Sequence, residues 1–139
     1  MKKLFLGLLF PVVLGACTLS ENNAPLIELK DTSWSMNLGS ESKCEIVPYI
    51  EFSEKNVSGD LGCNSFRADY ELKGNRLLFR NAASTMKLCA PDSMELEKKM
   101  QRILTDTKSI RQGKDTLTFL DAKGNEILTL IPESMGACR

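Results

Sequence analysis

Five cysteines and a complete lack of histidine set the chemistry open to this chain of 139 residues. Without histidine there is no Ser-His-Asp or Cys-His nucleophile, no histidine general base and no histidine-ligated zinc. Neither a glycine-rich phosphate loop nor a GxSxG or SxxK motif occurs. A pair of carboxylates could still act as acid and base, but Glu51, Asp60, Asp69 and Glu71 fall where a solvated strand face or turn accounts for them. The reading is of a protein that is not an enzyme and takes no cofactor or metal. The polar residues worth following lie around Gly62-Cys63-Asn64. Asn64 follows a half-cystine in a glycine-containing loop, where an amide satisfies a tight turn or faces a ligand. Asp60 and Thr85 could cap neighbouring loops or offer contacts in the same way, so Asn64, Asp60 and Thr85 are the candidate binding residues.

The N-terminus separates one cysteine from the other four. Met1-Lys2-Lys3 is a basic start, followed by an apolar run from Leu4 to Val13 that is too short to span a bilayer as a mature helix. Leu14-Gly15-Ala16-Cys17 then resembles a bacterial lipobox, which makes Cys17 the expected site of lipid attachment. Residues 1–16 read as signal peptide, and residues 17–30 as a lipidated start and tether containing Pro25. Thr18 lacks the aspartate associated with inner-membrane retention, so the expected address is the bacterial cell envelope, at the outer membrane facing the periplasm. Loss of Lys2 and Lys3 leaves 18 − 2 = 16 basic residues against 18 acidic ones, a net charge of −2. Nucleic acid is therefore excluded as a partner on charge, and the membrane is expected to be reached through the acyl chains.

Cys44, Cys63, Cys89 and Cys138 remain, an even number suited to two disulfides in an exported protein. Three connectivities are open. Cys63–Cys89 with Cys44–Cys138 is the preferred one, since the first bridge closes the central motif. It would contribute roughly 3 to 4 kcal/mol by loop entropy. A thiolate metal site is the competing reading, but no CxxC spacing supports it.

Elements to position these residues follow from periodicity. Trp34, Met36 and Leu38 alternate as in a half-buried strand, as do Ile50 and Phe52. Val57 to Asp60 returns after a turn at Glu54–Asn56. Phe66, Ala68, Tyr70 and Leu72 share a face before a turn at Lys73-Gly74-Asn75, and Arg76 to Phe79 closes that hairpin. Pro91, Asp92 as N-cap and Glu95 as its capping-box partner open an amphipathic helix. Leu96, Met100, Ile103 and Leu104 form its apolar stripe, while Glu97, Lys98, Lys99, Gln101 and Arg102 take the wet side. Strands are expected at Ser109–Arg111, Thr116–Leu120 and Glu126–Ile131. Residues 31–139 thus form a single α+β domain: a curved antiparallel sheet of about eight short strands, partly barrel-like, with one packed helix.

The order Gly62-Cys63-Asn64-Ser65-Phe66, Tyr70, Thr85-Met86-Lys87-Leu88-Cys89 and Glu97 resembles the META domain of HslJ-type bacterial envelope lipoproteins. Trp34 and Asp121-Ala122-Lys123-Gly124 extend the likeness over about Asp31 to Ile131. Met86 and Lys87 depart from the family's usual order after the threonine, and Cys44 and Cys138 lie outside its core pattern. The resemblance implies antiparallel strands with one packed helix, an association with heat shock or envelope stress, and no catalytic residues. The expected function is a non-enzymatic binding or structural module in envelope integrity or stress tolerance, with a protein or glycan partner. The alternative is a stoichiometric inhibitor of a hydrolase of protease or lysozyme type.

Overall fold

The computed structural model describes residues 26–39 and 47–133. Eight strands and one helix follow in order: β1 (Thr32–Met36), β2 (Tyr49–Phe52), β3 (Asn56–Asp60), β4 (Ser65–Lys73), β5 (Arg76–Ser84), α1 (Pro91–Asp106), β6 (Ser109–Gln112), β7 (Leu117–Leu120) and β8 (Glu126–Pro132). Every pairing is antiparallel, and the order across the sheet is β5-β4-β3-β2-β1-β8-β7-β6. The two ends of that order meet. The Ile110 N–H donates to the Asn75 carbonyl at 2.8 Å, and the Leu77 N–H to the Lys108 carbonyl at 3.3 Å. The sheet thereby closes into a barrel, which satisfies edge groups that an open sheet would leave bare.

Alternation decides what fills the barrel. Ile50 and Phe52 are buried while Glu51 between them is exposed; Phe66 and Ala68 are buried while Arg67 is exposed. Phe52 stands edge-on to Tyr70 at 5.1 Å between ring centroids and lies 6.5 Å from Phe79. Trp34, Met36, Val57, Leu117, Phe119 and Leu130 are among the other residues of the core. Eight strands enclose only enough space for such side chains, so the interior is packed rather than hollow.

Beyond the β5–β6 junction, β5 runs on to Ser84, further than the expected end at Phe79. A register shift between Arg67 and Asp69 accommodates Asn81 at φ 52°, whose side-chain amide donates to Asp69 Oδ2 at 2.7 Å. The helix lies against β8 and this second half of β5. Met100 and Ile103 are fully buried beneath it, with Leu96 and Leu104 half-buried, so the expected stripe faces the core.

Two local expectations are corrected. Asp92 does not cap the helix: Ala90 occupies the N-cap position, makes no side-chain cap bond, and Pro91 begins the helix. Proline is suited to that first position because its missing N–H would have had no intrahelical acceptor. The tether also ends earlier than residue 30. Leu29 is buried and Ile27 packs on the core, and Thr32 Oγ1 donates to the Leu29 carbonyl at 2.6 Å while accepting from Trp34 Nε1 at 2.9 Å. Apolar residues at 27 and 29 gain more from burial than a short segment loses in freedom.

Candidate functional site: a clamped loop beside the helix

Between β3 and β4 the chain turns in four residues, Leu61 to Asn64, closed by Leu61 N–H donating to the Asn64 carbonyl at 2.9 Å. Asp60 Oδ1 accepts from the Gly62 N–H at 2.7 Å and stiffens the entry. Gly62 has φ +121°, and a Cβ there would sit 3.0 Å from the Ser93 carbonyl oxygen and 3.1 Å from Leu96 Cβ. Glycine is required both for the backbone angle and for the approach of the helix.

That approach sets Asn64 directly against Glu97. Asn64 donates its backbone N–H to Glu97 Oε2 at 2.8 Å and its side-chain amide to the same carboxylate at 3.0 Å. Glu97 also accepts from Gln101 Nε2 at 3.1 Å. Glu97 is only 4% exposed, so its expected place on the wet side of the helix is corrected. A buried carboxylate is tolerable when its oxygens accept several hydrogen bonds, as they do here.

The other end of the Asn64 amide holds the segment after β5. Its Oδ1 accepts from Thr85 Oγ1 and from the Lys87 N–H, both at 2.7 Å, and its Nδ2 donates to the Lys87 carbonyl at 3.1 Å. Both backbone polar groups of Lys87 are thus taken by one side chain. The Cys63–Cys89 disulfide, with Cα atoms 5.8 Å apart, ties the same segment down two residues later. Cys63 Sγ lies 3.5 Å from the Lys87 carbonyl, but a disulfide sulfur carries no proton, so this is a contact and not a hydrogen bond.

The structure therefore brings Asp60, Cys63, Asn64, Thr85 and Cys89 together, and gives Asn64 internal partners in place of a ligand. With all its hydrogen-bonding capacity used, the ligand-facing alternative for this amide falls away. What the clamp presents outward is different. Met86 and Leu88, on either side of the pinned Lys87, are 96% and 93% exposed. Large apolar side chains so displayed, on a backbone fixed at three points, are the part of this site free to touch another molecule. Composition and spacing do not mark them; they lie in a stretch exposed from Arg80 to Asp92, whose backbone is held at Thr85, Lys87 and Cys89. Cys17, Cys44 and Cys138 lie outside the described residues. Among those described, no helix is long and apolar enough to cross a membrane.

The same arrangement of strands and helix occurs in two proteins whose structures were determined by NMR. One, from Burkholderia xenovorans, is 21% identical, covers 75% of this chain and 83% of its own, and superposes with a TM-score of 0.57. The other is 22% identical, covers 77% of this chain and 93% of its own, with a TM-score of 0.60. At these identities the likeness concerns the fold. No curated protein matches the chain. The family model of the META domain matches residues 27–133, beginning where Ile27 joins the core and ending just past β8, and the chain belongs to the META domain family.

Proposed function

We propose that this protein is a non-enzymatic, lipid-anchored module of the bacterial cell envelope, facing the periplasm from the outer membrane, that serves envelope integrity or stress tolerance by binding a protein partner. The observation that carries the binding half is the clamped loop: Asn64 and the Cys63–Cys89 bridge fix a backbone from which Met86 and Leu88 project into solvent. A contact surface held in place before binding loses little conformational entropy on association. The anchoring half rests on Leu14-Gly15-Ala16-Cys17 after an apolar run with a basic start. The use of a disulfide for stability suits an oxidising compartment.

Metabolic labelling with palmitate tests the anchor. The wild-type chain should incorporate label and Cys17→Ser should not; an unlabelled wild type refutes the reading. For the binding half, Met86→Ser/Leu88→Ser should fold as the wild type but fail to restore stress tolerance to a strain lacking the chain. Full restoration would place the contact elsewhere.

The rigid loop also favours a second reading, a stoichiometric inhibitor of a hydrolase, with Met86 or Leu88 entering the enzyme's cleft. Titration of proteases and lysozymes should then reach an end point at one molecule per enzyme.

A further inference from the structure

On the outer face of the barrel, β4 and β5 carry a hollow of about 330 Å³ ringed by Lys73, Arg76, Arg80 and Lys108, with Leu78 between them. Among the described residues Glu71 is its one carboxylate. It pairs with Lys73 at 2.6 Å and with Arg80 at 3.5 Å, and the Lys73 hydrogen bond and charge hold its pKa below the ordinary carboxylate value. Arg76 and Lys108 have no carboxylate partner among the described residues. Four cations against one anion concentrate positive charge in a chain whose formal net charge is zero.

A second hollow lies across the β5–β6 junction, lined by Leu26, Ile27 and Asn75 and by β6 and its following turn, where Lys114 adds a further cation and Arg111 pairs with Glu126 at 3.8 Å. Leu26, 94% exposed, is where the described chain enters this rim. Cys17 is nine residues upstream, within about 30 Å of fully extended chain. The loop bearing Met86 and Leu88 leaves the opposite end of β5, about 25 Å away along a nine-residue strand.

We propose that the basic rim formed by Lys73, Arg76, Arg80 and Lys108 is a docking surface for an anionic lipid bilayer, seating the barrel so that the Met86–Leu88 loop points away from the membrane. The inference rests on the anchored reading for the direction in which the chain leaves the domain, and adds a contact that the acyl chains do not supply. Lipid phosphates are the matching chemistry: cations near an anionic surface are attracted over a Debye length, while the exposed Leu26 and the partly exposed Leu78 can enter the interfacial layer.

Vesicle flotation of the chain from Thr18 onward, which lacks Cys17 and keeps the whole closed barrel, separates this contact from the anchor. Vesicles of phosphatidylcholine alone are compared with vesicles containing phosphatidylglycerol. The wild type should float only with the anionic vesicles, and added salt should weaken it. Arg76→Gln/Arg80→Gln/Lys108→Gln should lower partitioning by about fivefold per cation, roughly a hundredfold in all. Lys98→Gln/Lys99→Gln/Arg102→Gln, an equal change of charge on exposed helix positions, should cost only a few fold. No flotation of the wild type, or equal loss in both variants, overturns the docking surface. Because this chain carries no lipid, its failure is distinct from failure to incorporate palmitate.

Discussion

Replacing Glu97 by alanine should be among the most damaging single changes in this domain, although glutamate on an amphipathic helix is ordinarily solvated. Glu97 is 4% exposed, and its carboxylate accepts from the Asn64 N–H at 2.8 Å and the Asn64 side-chain amide at 3.0 Å. Truncation leaves the buried backbone N–H without an acceptor, a cost of about 1–3 kcal/mol, and removes a second hydrogen bond to charge of about 1.5–3 kcal/mol. Glu97→Ala should therefore lose roughly 3–5 kcal/mol, against about 5–15 kcal/mol for a whole domain. Glu97→Gln keeps one acceptor but turns an amide NH₂ toward donors, and about half that loss is expected. The assay is urea unfolding with the disulfide intact, alongside Glu95→Ala on the exposed side as a control expected within about 0.5 kcal/mol of wild type. A cycle with Asn64→Ala should give a coupling of at least about 1 kcal/mol between the two residues. A Glu97→Ala variant as stable as the Glu95→Ala control would refute the buried-carboxylate account, and with it the explanation of how the loop is held.

Gly62→Ala should destabilise by roughly 2 kcal/mol or more, since the new Cβ meets Ser93 and Leu96 at a backbone angle alanine rarely adopts; an unchanged melting temperature would show that the helix can shift freely. Removing the bridge in Cys63→Ala/Cys89→Ala should lower stability by about 3.5 kcal/mol for a separation of 26 residues, read as a lower urea midpoint. Tyr70 donates its hydroxyl to the Ser53 carbonyl at 2.7 Å, and burial, with Asp31 and Glu54 adding repulsion, raises its pKa above the ordinary 10.0. A raised pKa means the unfolded chain releases this proton first, so its share of stability is complete below pH 10.0 and declines as pH rises through the folded value. Tyr70→Phe should flatten that alkaline decline in thermal melts, and an identical slope in both proteins would contradict it.

Much of the architecture was legible because burial and backbone period coincide. Ile50–Phe52 and Phe66–Ala68 alternate in the sequence and alternate between core and solvent in the barrel. Gly74 between Lys73 and Asn75 takes φ +61° in the hairpin turn foreseen there. The helix stripe, from Leu96 to Leu104, faces inward as periodicity requires. Glu97 was misplaced by the same reasoning: on a helical wheel it falls about 20° beyond Leu104, at the boundary where charge implies solvent. Its side was decided by a loop from elsewhere in the chain.

Local chemistry by itself determined where the strands begin, the turn at Gly74, the apolar faces of β2 and β4, and that Cys63 and Cys89 flank one hairpin, but not the run of β5 from Arg80 to Ser84 or the burial of Ser35 and Thr118. The features it determined depend on side-chain volume, glycine's freedom and period, all readable over a few residues. The tertiary structure alone decided that the ends of the sheet meet between Asn75 and Ile110 and that Glu97 is buried on Asn64. It also decided that one amide pins Lys87 within the exposed stretch where Met86 and Leu88 face water. Each of those depends on groups 20 or more positions apart arriving at one point, and the free energy that places them there belongs to the closed barrel and not to any short stretch of chain.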